Sequence, residues 1–161
     1  MRSRIVRVLC AAALAAGLVA SLPVAAEASG ADGIVRVKSA YPLDETVARL
    51  KKDIAAKGIR FFQEVDQHKL AAEAGIKVLP STLLIFGNPP LGTLFLNAKP
   101  EAGIDWPVRL LVQQDAKGEV WAVYTDFIWI ARRHGIREAD QQPFKTASGV
   151  IASIASSVAA K

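Results

Sequence analysis

The amino-acid sequence predicts an α+β fold, a two-layer sandwich in which helices pack on a sheet of about five mainly antiparallel strands. Segments in which apolar residues alternate with polar ones are interleaved with segments whose apolar residues recur at helical spacing. Two alternating segments late in the chain flank a four-residue turn, which is typical of a hairpin. The residues after the N-terminal apolar stretch suffice for one hydrophobic core and are too few for two ordinary domains.

The N-terminal residues predict a cleavable signal peptide over residues 1–28. Three arginines within the first seven residues precede the uncharged apolar stretch 8–22, which is shorter than the roughly 20 residues that span a bilayer. Pro23 and several small residues then offer a signal-peptidase site. An uncleaved membrane anchor is the alternative. We therefore expect a periplasmic or secreted protein, with residues 29–161 as its single mature domain.

Removal of the signal peptide changes the charge of the chain. The full sequence carries a formal net charge of +5, and loss of the three N-terminal arginines leaves +2, or +3 if Glu27 is removed with them. This charge is too small to indicate nucleic-acid binding, for which a strongly basic domain with clustered cations is expected. The only cysteine, Cys10, lies in the signal peptide, so the mature domain must fold without a disulfide. We expect no membrane span, nucleic acid or cofactor in the mature protein.

The first half of the mature chain alternates strands with helices. Residues 34–38 alternate between apolar and basic side chains, and residues 59–65 predict a second strand. Between them a helix begins at Asp44, carries its apolar residues on one stripe and ends near Gly58, a residue type favoured just after a helix. A short helix over about residues 68–74 follows the second strand.

A continuous apolar strand is predicted over residues 82–86. Because this run does not alternate, we expect a central strand that is covered on both faces. Asn88 is a suitable N-cap and Pro89 is tolerated in the first turn, so a helix over about residues 91–97 is predicted next. Residues 100–107 then form a loop.

The last part of the chain predicts a hairpin and two helices. Residues 108–114 and 119–125 both alternate, and residues 115–118 between them read Asp-Ala-Lys-Gly, a good hairpin loop. A helix is predicted over residues 127–134. The final helix, over about residues 144–159, has apolar residues on one side and Ala and Ser on the other.

Neither histidine of the mature chain predicts a metal or haem site. His68 and His134 lie far apart in sequence, with no cysteine and no paired ligand near either of them. We interpret His134 and the arginines before it as a basic helix end favoured by the helix dipole, with an anion site as the alternative. We interpret Asp66 as a helix cap, with a ligand-binding or acid–base role for His68 as the alternative. No nucleophile elbow or phosphate-binding loop is present, so no catalytic residue is assigned.

The segment after the apolar strand is the first candidate for a binding site. Residues 86–90 read Phe-Gly-Asn-Pro-Pro, so a glycine and a capped turn leave the end of a strand, where ligand sites are common. Asp105-Trp106-Pro107 precedes the next strand, and we expect it to lie near this turn. Ordinary turn chemistry would also account for both segments.

Several motifs, taken in order, resemble the bacterial family called domain of unknown function DUF302. They are Thr82–Pro89, Gly92-Thr93, Asp105–Arg109, Val120–Tyr124 and Ala131–Gly135. The resemblance runs from about residue 35 to residue 136 and implies a small two-layer α/β domain that associates in pairs, without an implied activity. Family members carry Asp directly followed by His before the short helix, whereas this chain reads Asp66-Gln67-His68.

The expected function is that of a non-catalytic module that binds a small ligand or a partner protein. The candidate ligand-binding residues are Asp66, His68, Gly87, Asn88, Pro89, Asp105 and Arg109. An enzyme that uses the region of Asp66, His68 and Asn88 is the alternative. A purely structural dimer unit is the third hypothesis.

We expect the mature domain to be a homodimer. Residues 82–86 and 119–125 carry apolar side chains that would point to both faces of the sheet, and the Ala/Ser side of the last helix allows close packing. A small domain in water rarely leaves a contiguous apolar patch beyond a few hundred Å², and two-fold pairing is the commonest way to cover one. The alternative is a monomer in which the two C-terminal helices cover the second face of the sheet.

Overall fold

The structure is a computed structural model that describes residues 30–160. The predicted signal peptide lies outside this range. The strands are β1 (Ile34–Lys38), β2 (Arg60–Asp66), β3 (Ser81–Gly87), β4 (Val108–Gln114) and β5 (Val120–Thr125). The α-helices are α1 (Leu43–Ala56), α2 (Gln67–Glu73), α3 (Pro89–Ala98), α4 (Phe127–Arg133) and α5 (Gln142–Ser156). Two 3₁₀ helices span Pro100–Asp105 and Glu138–Asp140.

The five strands form one sheet in the order β1-β5-β4-β3-β2, and every neighbouring pair is antiparallel. The predicted α+β class, with helices packed on a five-stranded antiparallel sheet, is therefore confirmed. The edge strand β2 contains an irregularity: Phe61 pairs with Phe86 and Gln63 pairs with Ile85, so Phe62 is left out of the ladder. Such a bulge bends the strand locally and increases its twist.

The hydrophobic core lies between one face of the sheet and the helices. The side chains of β3 and β4 that share this face, with Leu84 and Leu110 directly paired, are buried. The helices α1, α3 and α4 each contact α5, and the four helices form the second layer. Phe95 of α3 stacks on Phe144 of α5 with ring centroids 4.3 Å apart, which joins those two helices through the core. The largest fully buried side chains are Phe86, Phe95, Phe144, Leu50, Ile54, Leu84, Leu110, Ile151 and Ile154.

The hairpin β4–β5 forms where the sequence predicts it, and Asp115 explains why. One of its carboxylate oxygens accepts hydrogen bonds of 2.9 Å from the backbone N–H groups of Lys117 and Glu119. The other oxygen accepts a 3.0 Å bond from the indole N–H of Trp121. Gly118 supplies the positive φ of 81° that closes the turn. The local turn chemistry therefore fixes this element.

The prediction that residues 82–86 form the central strand is wrong, and the helices of one chain cover this strand on one face only. β3 is second from the edge, and β4 is the central strand. Leu84 and Phe86 are buried under the helices, whereas Leu83 and Ile85 point to the other face and are only half-buried. An apolar run shows that both faces carry apolar side chains, but it does not show that helices cover both faces.

The second face of the sheet carries a row of half-buried apolar side chains. Register pairs Val65 with Leu83, Leu83 with Leu111 and Leu111 with Val123, so the row crosses β2, β3, β4 and β5. We call these four residues and Ile85 the open face. Since α4 and α5 pack in the same layer as α1 and α3, they do not cover it.

A second exposed apolar surface follows the edge strand β2. The helix α2 contains no buried residue, and the segment after it continues to expose large side chains. We call residues 67–80 the arm. Its exposed large apolar side chains are Leu70, Ile76, Val78 and Leu79.

Two further differences concern residues near helix ends. The loop predicted over residues 100–107 contains the 3₁₀ helix Pro100–Asp105, which packs beside α3. The final helix was predicted to reach residue 159, but it ends at Ser156, and Ala159 instead forms a bridge with Ser39 after β1. Within residues 30–160, no helix is long and apolar enough to cross a membrane.

Candidate functional site

An apolar cleft lies where β3 leads into α3. The volume of the cleft that a water-sized molecule can enter is about 30 Å³, and the open space between its walls, solvent included, is about 340 Å³. Residues of α3, α5 and the ends of β3 and β4 form the walls, and Trp106 lies across them. The lining residues are Ile59, Phe86, Gly87, Asn88, Leu91, Gly92, Phe95, Trp106, Val108, Ala147, Val150 and Ile151.

Two glycines make room for the Trp106 ring. A Cβ at Gly92 would lie 2.1 Å from Cε2 and 2.2 Å from Nε1 of the indole. A Cβ at Gly87 would lie 3.0 Å from Nε1. Any other residue type at position 92 would therefore displace the ring. Trp106 also meets Phe62 edge-on, with centroids 6.3 Å apart, so the residue left out of the β2 ladder contacts the ring of this site.

Two side chains that line the cleft carry N–H groups without a hydrogen-bond partner among residues 30–160. The indole nitrogen of Trp106 is the part of the ring nearest to Gly87, and it has no hydrogen-bond partner among residues 30–160. This edge of the ring packs closely against Gly87 and Gly92. Asn88 uses its Oδ1 to accept a 3.1 Å bond from the backbone N–H of Leu91, which leaves its Nδ2 as the second donor.

The start of α3 is a cap rather than an anion site. Asn88 is the N-cap, as its sequence position predicts, and Pro89 and Pro90 have no N–H to offer. The first available N–H, that of Leu91, is already bonded to Asn88. The predicted candidates Asn88 and Pro89 therefore shape one wall of the cleft through the helix that they start.

Asp105, immediately before Trp106, joins the 3₁₀ helix to the end of α4. Its carboxylate lies 2.7 Å from Nε2 of His134 and 3.2 Å from Nη1 of Arg133. The side chains of Asp105 and His134 are only 10% and 9% exposed. Arg109 lies 3.7 Å from the same carboxylate and donates a 2.8 Å bond to the carbonyl of Ile104. These contacts hold the backbone that positions Trp106.

The structure brings together five of the seven predicted site residues. Gly87, Asn88 and Pro89 adjoin the cleft, while Asp105 and Arg109 lie beside Trp106 at its border. Asp105 and Arg109 were expected as ligand contacts, and the structure uses both of them in bonds within the chain.

Asp66 and His68 lie at the opposite end of β3. Asp66 pairs with Thr82 at the start of the strand, whereas Gly87 is at its end. Asp66 caps α2 by accepting a 2.8 Å bond from the N–H of Lys69, and Nδ1 of His68 lies 3.0 Å from the carbonyl oxygen of Val78. The alternative of one enzymatic site built from Asp66, His68 and Asn88 therefore does not fit this geometry.

Sequence reasoning missed two residues of the site. The sequence predicts that Asp105-Trp106-Pro107 lies near the turn at Gly87, as the structure shows, but it does not single out Trp106 as a candidate binding residue. It predicts His134 as a helix end, which the position of His134 after α4 confirms. The pairing of His134 with Asp105 links residues 29 positions apart, and no local pattern indicates such a contact. The glycines opposite Trp106 were the available signal, because Gly87 and Gly92 follow the same strand.

The residues in the cleft do not form a catalytic arrangement. No carboxylate, imidazole or hydroxyl belongs to the lining of the cleft. In the part of the chain that the structure describes, no three His, Cys, Asp or Glu side chains come together as a metal site. The cleft as built therefore offers mainly apolar contact.

The curated relatives that match this chain are named as fluoride-specific ion channels. The fluoride-specific ion channel FluC 1 of Brucella suis biovar 1 (strain 1330) is 38% identical over 104 residues, which cover 65% of this chain and 41% of that protein. FluC 2 of Brucella melitensis biotype 1 has the same identity over the same length, and 38% of it is covered. The chain thus spans about two-fifths of the length of these relatives.

A solved structure and a family match agree on the fold. A crystal structure of an uncharacterized conserved DUF302 protein from Bacillus stearothermophilus superposes with a TM-score of 0.72 at 17% identity, covering 78% of this chain and 98% of that one. Residues 35–154 match the family described as domain of unknown function DUF302. The match covers nearly the whole sheet and most of the helix layer, and the chain belongs to the DUF302 family.

Proposed function

We propose that the chain is a non-catalytic module of the periplasm or the secreted fraction, and that it binds a small apolar ligand in the cleft between α3, α5 and Trp106. The observation that carries the proposal is the apolar cleft, in which the ring of Trp106 packs against Gly87 and Gly92. Ligand sites in proteins are typically concave and mostly apolar, with a few placed polar groups. The absence of titratable side chains from this lining supports binding rather than acid–base chemistry.

The proposal is tested by filling the cleft. Val150 of α5 is a half-buried lining residue, so Val150→Phe would occupy the space that a ligand needs. Ser153→Phe, at an exposed position of the same helix, is the matched control. Binding of hexan-1-ol to residues 29–161 is followed by tryptophan fluorescence and by thermal shift. We expect saturable binding that Val150→Phe weakens at least tenfold and Ser153→Phe leaves intact. Equal binding by both variants, or no saturable binding, would contradict the proposal.

We also propose that a second copy of the chain covers the open face. A row of apolar side chains across four strands is half-buried in one copy, and the arm beside it exposes four more. A small monomer rarely leaves a large contiguous apolar patch in water, so these two surfaces favour a partner that covers them. An isologous pair uses the same patch on both subunits, so the open face and the arm of one copy would meet those of the other.

The oligomeric state tests this pairing. Sedimentation of residues 29–161 at micromolar concentration is expected to give twice the mass of one chain. Leu111→Asp, in the centre of the open face, should yield a folded monomer because the charge would be buried in the interface. Leu94→Asp is the control, since Leu94 is 44% exposed on α3, away from the open face and the arm. A wild-type monomer at all concentrations would refute the pairing.

The curated relatives favour a second candidate function. At 38% identity the matched segment of those proteins shares this α+β fold, and no helix of that fold within residues 30–160 is long enough to span a membrane. We infer that their channel part lies in the remainder of their length. On this reasoning, the DUF302 domain acts together with a membrane-embedded ion channel. Fluoride tolerance of a deletion strain tests this candidate: increased sensitivity, reversed by the intact gene, would support it, and unchanged tolerance would count against it.

A further inference from the structure

A polar pocket lies between α1 and the edge strand β2, beside the start of β3, whereas the apolar cleft lies at the end of β3. Its volume of about 440 Å³ falls within the range of roughly 300–1,000 Å³ that is typical of ligand sites. We propose that this pocket is a second binding site, and that its ligand is a small organic cation carrying ammonium or guanidinium groups.

The register of the sheet brings polar side chains of the pocket to one face. Glu64 pairs with a buried leucine of β3, and Asp66 pairs with Thr82. Because directly paired residues point to the same face of a sheet, Glu64, Asp66 and Thr82 all point towards the helix layer, where α1 contacts β2 and β3. The helix α1 supplies Asp44 and Lys51 to the opposite wall. The pocket thus collects polar groups from three elements of the fold.

The hydroxyl of Thr82 carries the proposal, because it is nearly buried and lacks a partner. Thr82 is 6% exposed, and its hydroxyl makes no hydrogen bond to residues 30–160. The other two buried polar side chains of the described residues, Ser39 and Thr46, share a 2.7 Å bond.

The unpartnered hydroxyl of Thr82 opens into the pocket. Within residues 30–160, no side-chain oxygen of a buried or half-buried residue is both closed off from solvent and without a hydrogen-bond partner. The hydroxyl of Thr82 therefore reaches solvent, and Thr82 lines this pocket. A nearly buried hydroxyl without a partner favours a ligand that completes its hydrogen bonding.

The charge of the pocket favours a cation. Lys51 is paired with Glu64 at 2.7 Å, so their charges offset each other. Asp44 makes no ion pair or side-chain hydrogen bond to residues 30–160. Asp66 has no ion pair in the same range and uses only Oδ1, which accepts from the backbone N–H of Lys69. Two carboxylates without an ion pair, together with one hydroxyl, offer acceptors to the N–H groups of a cationic ligand.

An organic cation fits this arrangement better than a metal ion. In the part of the chain that the structure describes, no three His, Cys, Asp or Glu side chains come together as a metal site. A metal ion such as Ca²⁺ needs its oxygen ligands at about 2.3–2.6 Å. Ammonium and guanidinium groups carry several N–H donors, which can bond to oxygen atoms that are farther apart.

Three probes test the ligand class. The mature protein, residues 29–161, is titrated at pH 7 with 1,4-diaminobutane, butane-1,4-diol and Ca²⁺, and calorimetry measures the binding. Amide NMR shifts locate the site. We expect saturable binding of the diamine, with the largest shifts around Asp66 and Thr82. The diol has the same chain length without the charge, so it should bind about tenfold more weakly or worse, and Ca²⁺ should also bind more weakly than the diamine.

Two variants remove the groups that would meet the ligand. Thr82→Val keeps a branched side chain but loses the hydroxyl, and it should weaken the diamine about fivefold or more. Asp44→Asn removes a charge and should weaken it about tenfold or more. The matched controls are Thr125→Val at the end of β5 and Glu101→Gln in the 3₁₀ helix after α3, both outside the pocket, and they should leave binding unchanged.

The outcomes separate this inference from the proposed function. Val150→Phe, which fills the apolar cleft, should leave diamine binding intact, so either site can fail while the other holds. Loss of diamine binding in that variant would place the diamine in the cleft and overturn the inference. No saturable diamine binding, tighter binding of Ca²⁺ or of the diol, or equal weakening by Asp44→Asn and Glu101→Gln would also overturn it.

Discussion

Replacement of Gly92 by Ala directly tests how the ring of Trp106 packs against α3. The added Cβ would lie 2.1 Å from the indole, so the ring must retreat by more than about 1 Å to reach the contact distance of roughly 3.5 Å between carbon atoms. Overpacking of this kind costs about 1–3 kcal/mol. Replacing Gly by Ala within a helix also raises the free energy of unfolding by about 0.5–1 kcal/mol, which partly offsets the cost of the clash.

Gly149 of α5 provides the matched control, because a Cβ there would meet nothing within 4 Å. Gly149→Ala should therefore be neutral or raise the melting temperature, while Gly92→Ala should lower it relative to that control. The difference between the two variants cancels the helix propensity and isolates a clash of about 1–3 kcal/mol, or roughly 4–12 °C for a domain of this size.

Thermal melts of residues 29–161 give the free-energy difference, and the emission maximum of the protein reports the indole. Gly92→Ala should shift the emission of Trp106 to longer wavelength as the ring becomes more exposed to water, and Trp106→Phe should abolish that shift. Equal melting temperatures for Gly92→Ala and Gly149→Ala, with unchanged emission, would refute the described packing of the ring.

Further predictions concern groups around the site and the core. His134→Ala should destabilise the fold by about 1–3 kcal/mol, because it leaves the nearly buried Asp105 without its 2.7 Å partner; denaturant unfolding measures the loss, and His134→Gln should restore part of it. Asp126→Ala should cost about 1–2 kcal/mol in the same assay, because Asp126 caps α4. Leu84→Ala should cost about 2–5 kcal/mol, since Leu84 is fully buried. Burial, together with the nearby Asp126, raises the pKa of Tyr124 from 10.0 to about 12. The protonated phenol therefore contributes fully to the free energy of unfolding below pH 10, and this contribution is lost as the pH rises towards 12. An absorbance titration at 295 nm should show that Tyr124 ionises later than a free tyrosine.

Local signals in the sequence account for most of the fold. The hairpin was predicted from alternation and from the Asp-Ala-Lys-Gly turn, and Asp115 bonds the turn as its position suggests. Helix and strand bounds differ by a few residues at most, because caps such as Asp66, Asn88 and Asp126 are local features. The position of β3 in the sheet was not predicted correctly, because strand order depends on contacts between distant segments.

The candidate site was predicted only in part for the same reason. The turn at Gly87 and Asn88 is local, and it borders the cleft as expected. The approach of Trp106 to the two glycines, and the contact of Asp105 with His134, join separate elements across the fold. Such contacts depend on the tertiary arrangement, and residue type alone gave no reason to pair them.

The bulge at Phe62 has a consequence for how copies of the chain can associate. An unpaired, regular edge strand is a template on which another chain can extend the sheet, and repetition of that step produces fibrils. In β2 the extra residue interrupts the row of backbone groups, and the charged residues Arg60 and Glu64 occupy the same edge. The interrupted, charged edge therefore disfavours extension of the sheet by another chain at β2.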